Sequence, residues 1–72
     1  MKIIVDTISK AKEFVHLCNE FNGHIDVRQK KTSVDGKSVL GVLALALSEP
    51  MEVTFVGEEK EEKIFWENIR VL

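Results

Sequence analysis

The sequence predicts a small α+β domain in which an antiparallel sheet is covered by helices on one face. Three observations support this fold class. Apolar residues alternate with polar ones along several short segments, they recur every three or four positions along others, and the two kinds of segment follow one another in the order βαββαβα. The chain has 72 residues, so we expect residues 1–72 to form a single domain.

The chain is predicted to begin with a strand that is followed by a helix. Lys2–Val5 is a β-branched run typical of a strand, and Asp6 or Thr7 can cap the next helix with a side-chain oxygen. The apolar stripe of that helix consists of Ile8, Ala11, Phe14, Val15, Cys18 and Phe21. Gly23 suits the left-handed backbone conformation that ends many helices.

A hairpin is predicted after this helix. His24–Lys30 alternates, which indicates a strand with one wet face, and its other face consists of Ile25, Val27 and Gln29. The chain then returns along residues 32–34. Asp35-Gly36 is a turn signal, so we expect the hairpin to end there.

A short helix and a fourth strand are predicted next. Ser38 can cap a helix that runs through Val39–Leu43 and fades near Leu47. Pro50 prevents the helix from continuing, because the residue before a proline is disfavoured in the helical region. Met51–Val56 alternates again and is predicted to be a strand, with Met51, Val53 and Phe55 on one face.

The last predicted element is a helix that begins in the charged run Glu58–Lys63. Its glutamates are favourable there, because the N-terminal end of a helix carries a partial positive charge. Its apolar stripe is predicted to consist of Ile64, Phe65, Ile69 and Leu72, with Trp66 at the edge.

Composition excludes several classes of function. The net charge is −2, and the basic residues are spread along the chain, so we expect no nucleic-acid partner. No apolar stretch reaches the length of a membrane span or forms a signal peptide, so we expect a cytoplasmic protein without a membrane partner. Cys18 is the only cysteine, and no zinc-binding spacing is present, so we expect no disulfide, metal or cofactor.

Residues 36–45, Gly-Lys-Ser-Val-Leu-Gly-Val-Leu-Ala-Leu, resemble the second conserved segment of the HPr phosphocarrier family of the phosphotransferase system. In that family a Lys-Ser pair opens a short helix, and aliphatic pairs on either side of a glycine follow it. The resemblance covers residues 8–57 without a gap. It implies an HPr-like open-faced β-sandwich, although a ferredoxin-like interaction module shares much of the same element order and stays open as an alternative.

The resemblance also implies a degenerate phosphocarrier site. HPr presents its phospho-accepting histidine in a Gly-x-His-Ala-Arg-Pro-Ala segment at the start of its first helix. Residues 5–11 here read Val-Asp-Thr-Ile-Ser-Lys-Ala, so Thr7 stands at the position of the histidine, and Ser9 and Lys10 replace the arginine and proline. We therefore expect no catalytic residue and no enzymatic activity. In this respect the chain is similar to the catabolite-repression paralogue of HPr.

A phosphocarrier with a non-standard acceptor, which could be His16, His24 or Thr7, is the alternative. It is disfavoured because neither histidine is predicted at a helix N-terminus, where backbone N–H groups would hold a phosphate. His16 and Glu20 are four residues apart and could share a metal, but two ligands are too few for a closed site. Cys18 lies on the apolar stripe and is interpreted as a core residue.

Ser38 is the candidate regulatory residue. As a helix cap it would contribute about 1 kcal/mol. The resemblance implies that HPr kinase phosphorylates it, and a phosphate is favourable at a helix N-terminus. Val39, Leu40 and Leu43 match the aliphatic positions with which the family docks its partners, with Lys37 on the rim. The sequence therefore predicts a non-catalytic, regulatory protein-binding domain whose partners are HPr kinase or a transcriptional regulator.

Overall fold

The chain forms its elements in the predicted order, βαββαβα, and the computed structural model describes all 72 residues. The strands are β1 (Lys2–Ile3), β2 (His24–Gln29), β3 (Thr32–Asp35) and β4 (Met51–Val56). The helices are α1 (Ile8–Cys18), α2 (Val39–Leu43) and α3 (Glu59–Ile69). No helix is both long enough and apolar enough to cross a membrane.

The four strands form one sheet in the order β1-β4-β2-β3, and every neighbouring pair is antiparallel. The two central strands are therefore β4 and β2. In a ferredoxin-like sandwich the first and third strands are central, so the observed order excludes that alternative. The predicted α+β fold, with one antiparallel sheet and its helices on one face, is confirmed.

The pleat of the two central strands separates a buried face from an open one. Val27 of β2 pairs with Val53 of β4 on one side and with Val34 of β3 on the other. The residues that alternate with Val27 and Val53 on the same face are also buried, as predicted: Ile25, Gln29, Met51 and Phe55. The helices cover this face, and the opposite face carries exposed side chains such as Arg28 and Glu52.

Three phenylalanines join the helices to the sheet at one end of the core. Phe21, Phe55 and Phe65 have ring centroids 5.2 to 6.1 Å apart. The prediction that Gly23 adopts a left-handed conformation is wrong, because no glycine has a positive φ. Gly23 is required for a different reason: a Cβ atom there would lie 2.4 Å from the Phe55 ring.

Two residues of the predicted apolar stripes lie at the surface instead. Ile8 is 57% exposed and Ile64 is 51% exposed. Ile8 is the first residue of α1, one turn before the buried segment begins at Ala11. Ile64 immediately precedes the buried Phe65, so it points about 100° away from the core around α3. Both positions matched the spacing of a stripe but lie outside the part of the helix that contacts the sheet.

The second helix ends earlier than predicted, at Leu43 and not near Leu47. The reason is a clamp formed by Gln29, which is only 8% exposed. Its Oε1 accepts a hydrogen bond from the Ala46 N–H at 2.7 Å, and its Nε2 donates to the Ala46 carbonyl at 2.8 Å. The backbone of Ala46 is satisfied by this side chain and does not need helical partners.

Candidate functional site

Ser38 caps α2 as predicted. Its backbone is extended, with φ −98° and ψ 113°, and its Oγ accepts a hydrogen bond from the Gly41 N–H at 3.1 Å. The Ser38 carbonyl accepts from the Val42 N–H at 3.0 Å and so starts the helical ladder. The residue is partly exposed. A hydroxyl at this position is therefore both structurally engaged and close to the surface.

The predicted turn at Asp35-Gly36 fixes the position of this cap. A carboxylate oxygen of Asp35 accepts from the Lys37 N–H at 2.9 Å, and its carbonyl accepts from the Ser38 N–H at 3.0 Å. Gly36 is buried, and a Cβ atom there would lie 2.7 Å from Cγ2 of Ile25. The turn thus packs tightly against the sheet, which holds the start of α2 in place.

Lys37 ties this turn to the end of α1. Its ammonium donates to the Phe21 carbonyl at 2.6 Å, and its own carbonyl accepts from Nδ2 of Asn19 at 3.1 Å. The side chain is partly buried. A partner that contacts Lys37 would compete with this internal bond, and the role of Lys37 on the rim of a docking surface stays a prediction.

The predicted docking residues Val39, Leu40 and Leu43 lie together on α2, and we call them the α2 patch. Leu40 is 80% exposed and Val39 is 40% exposed, whereas Leu43 is partly buried against the core. Val42 is fully buried and anchors the helix. Leu40 lies two residues before Val42, about 200° around the helix, so it points away from the core into solvent. The patch is adjacent in sequence to the Ser38 hydroxyl.

The start of α1 has a local structure that the sequence predicted. Of the two candidate caps, Thr7 is the one used: its Oγ1 accepts from the Lys10 N–H at 3.0 Å. The Lys10 ammonium lies 3.6 Å from a carboxylate oxygen of Asp6, and both side chains are about half exposed. The Thr7 hydroxyl therefore completes the helix end, and no histidine occurs in residues 5–11.

The structure does not bring the other acceptor candidates to this end of α1 or to Ser38. His16 is exposed on α1, and His24 is exposed at the start of β2 on the open face of the sheet. His16 and Glu20 are joined by no third ligand, because no group of three His, Cys, Asp or Glu side chains is arranged to hold a metal ion.

Cys18 is a core residue, as its position on the apolar stripe predicted. It is fully buried and forms no disulfide. Burial, and secondarily the negative charge of Asp35, raises the pKa of its thiol to about 12, although the nearby Lys37 ammonium acts in the opposite direction. The thiol is therefore un-ionised near neutral pH and is not a nucleophile.

Two polar residues with structural roles were not recognised in the sequence. Gln29 alternates with Ile25 and Val27 on a buried face, and a polar residue in that pattern signals a buried hydrogen-bonding role. Glu61 receives the N–H groups of Asn22 and Gly23, each at 3.0 Å, and so joins α3 to the loop after α1. Nothing local in the sequence distinguishes Glu61 from its acidic neighbours.

Comparison with known proteins defines the class to which this chain belongs. The model of the PTS-HPr family, described as the PTS HPr component phosphorylation site, matches residues 8–72. The match covers almost the whole chain, so the protein belongs to the HPr family of phosphotransferase-system phosphocarriers, as the resemblance predicted. The match begins at Ile8, directly after Thr7, so the position predicted for the phospho-accepting residue lies outside it.

Solved structures agree with this assignment at the level of the fold. HPr-C-His from Thermoanaerobacter tengcongensis is 19% identical with a TM-score of 0.76, over 97% of this chain and 89% of that one. The phosphocarrier protein HPr from Bacillus anthracis str. Ames is 22% identical with a TM-score of 0.70, over 89% of this chain and 84% of that one. A comparison with curated proteins found no match.

Proposed function

We propose that this HPr-family chain is a non-catalytic regulatory domain that docks a protein partner through the α2 patch and is controlled by phosphorylation of Ser38. The observation that carries the proposal is at the start of α2. There, a partly exposed serine hydroxyl lies two residues before Leu40, whose side chain is 80% exposed. A large apolar side chain beside a modifiable hydroxyl is suited to a contact that phosphorylation turns on or off. HPr kinase would modify the site, and a transcriptional regulator would be the docked partner.

The local physics of the helix end supports phosphorylation. The first N–H groups of a helix have no intrahelical acceptors, and Ser38 already receives one of them, from Gly41. A phosphate on Ser38 would carry a charge of about −1.5 to −2 and three acceptor oxygens close to these groups. It would also add a dianion next to Leu40. Phosphorylation would therefore change the docking surface without requiring the helix to unfold.

The proposal that the domain does not carry phosphoryl groups rests on the start of α1. The Thr7 hydroxyl accepts from the Lys10 N–H, which is a capping role, and neither a histidine nor an arginine occurs in residues 5–11. His16 and His24 are exposed far along the chain from the helix N-terminus that holds a phosphate in the family. We expect no phosphoryl transfer from phosphoenolpyruvate through Enzyme I, and a transfer in that assay would contradict this part.

Intact mass spectrometry after incubation with HPr kinase and ATP tests the switch. We expect one added phosphoryl group on the parent and none on Ser38→Ala. Ser9→Ala is the matched control, because Ser9 is an exposed serine on α1, and this variant should gain one group. An unmodified parent, or a modified Ser38→Ala, would refute the proposed control by phosphorylation.

The docking role is tested separately with HPr kinase as the bound protein, because a kinase that modifies Ser38 must also contact the adjacent α2 patch. Leu40→Ser should weaken binding by about tenfold, since a central exposed anchor is typically worth more than 1 kcal/mol. Val71→Ser is the matched control, because Val71 is 84% exposed but lies at the end of the chain. Equal affinity of the two variants would show that the α2 patch is not the docking surface.

A further inference from the structure

The charges on the outer face of α1 run against the dipole of the helix. The first turn contains no acidic residue, and Lys12 follows closely, whereas Glu20 lies just beyond the last residue of the helix. A helix favours the reverse arrangement, with acidic groups near its N-terminus and basic groups near its C-terminus. Neither Lys12 nor Glu20 takes part in an ion pair within the molecule. Both charges are thus unpaired in a single copy, although Asp6 lies before the N-terminus of α1 and the Lys37 ammonium lies beyond its C-terminus.

These two residues belong to a regular row with His16 at its centre. Lys12 and His16 are four residues apart and lie on one side of the helix, Glu20 follows them in the turn after the helix, and all three are exposed. They line a cleft of about 440 Å³. Its apolar lining includes Leu17 together with Val71 and Leu72 from the end of the chain. The face therefore has an apolar part beside a basic end, an imidazole and an acidic end.

We propose that this face binds the same face of a second copy of the chain, with the two α1 helices antiparallel and a two-fold axis passing close to His16. Lys12 of each copy then meets Glu20 of the other, which gives two equivalent ion pairs. Glu13 falls opposite the uncharged Asn19. The antiparallel arrangement also pairs the helix dipoles favourably.

A second copy is the occupant that the charges specify. A two-fold interface needs a surface that is complementary to itself. When the row Lys12, His16, Glu20 is set against the same row in the opposite direction, a lysine faces a glutamate at both ends. The molecule measures only 30 × 23 × 19 Å, so the contact is small and the dimer should be weak. This surface is distinct from the α2 patch, and the inference does not depend on Ser38.

Sedimentation equilibrium of the full chain, from about 10 μM to about 1 mM, tests the inference. The parent should self-associate within this range. Lys12→Glu and Glu20→Lys each convert both symmetric pairs from attraction to repulsion, and each should weaken self-association by about tenfold. Lys31→Glu and Glu58→Lys carry the same charge changes at exposed positions outside α1 and should have little effect.

Mixing the two α1 variants is the decisive step. The Lys12→Glu variant has a glutamate at both positions 12 and 20, and the Glu20→Lys variant has a lysine at both. A dimer that contains one copy of each variant therefore has two ion pairs again. Equimolar mixing should recover association at least as strong as that of the parent, while circular dichroism confirms that each variant is folded. A parent that is monomeric at about 1 mM, or a mixture that associates no better than its components, would overturn the proposal.

Discussion

Replacing Gln29 with leucine tests how the structure ends α2. The side chain makes two short hydrogen bonds to the backbone of Ala46, at 2.7 and 2.8 Å, and a longer one of 3.4 Å to the Glu49 carbonyl. Leucine fills a similar volume on the same buried face but can make none of them. Each lost bond costs about 1 kcal/mol, and each polar group left without a partner can cost a further 1 kcal/mol or more.

The expected loss for Gln29→Leu is therefore about 2 to 4 kcal/mol. Ala46 is exposed, so water can hydrogen-bond to part of its backbone in the variant. The loss in free energy of unfolding therefore stays below that of burying these polar groups without any partner. A domain of this size has a free energy of unfolding of about 4 to 11 kcal/mol, so the change removes a large share of it. For an m value of about 1 kcal/mol per M, which suits a domain this small, urea unfolding at 25 °C should show a midpoint that is lower by about 2 M or more.

Asn68→Leu is the matched control for this substitution. It also removes a side-chain amide, but the Asn68 bond to the Ile64 carbonyl is exposed, so its loss should cost less than about 0.5 kcal/mol. If Gln29→Leu were no less stable than this control, the bonds to Ala46 would contribute nothing. The early end of α2 would then need another cause.

Three further predictions follow from particular contacts. Gly23→Ala should lower the free energy of unfolding, measured in urea, by about 1 to 3 kcal/mol, because the new methyl group would overlap the Phe55 ring. A variant as stable as the parent would show that the ring moves aside freely. Cys18, with a pKa of about 12, should resist alkylation by iodoacetamide at pH 8 until urea unfolds the chain, and rapid native-state labelling would contradict its burial. The hydrogen bond from the Met1 ammonium lowers the pKa of the Glu52 carboxyl. The stability that this pair contributes should therefore be fully present at pH values above the ordinary pKa of a glutamate. It should be lost as the pH falls through the lowered pKa. Titration followed by NMR should show this lowered pKa, and acetylation of the N-terminus should reduce the shift, with the Lys2 charge still acting in the same direction.

Local interactions explain why much of the fold could be predicted from the sequence. The cap of α1 by Thr7 and the cap of α2 by Ser38 each depend on a side chain and an N–H group three residues further on. The alternation of β2 and β4 follows from the pleat, which fixes which side chains share a face. The Lys-Ser-aliphatic segment indicated the family, and the family match confirmed it.

Tertiary contacts decided the rest, because they join residues that are distant in the chain. The order of the strands separates this fold from the ferredoxin-like alternative, and the order depends on which strands meet. Spacing alone placed Ile8 and Ile64 in the core, but contact with the sheet is confined to other parts of their helices. The sequence by itself thus determined the order of the elements and the caps of α1 and α2. Only the packed structure determined where α2 ends, why Gly23 must be a glycine and how Lys37 is held.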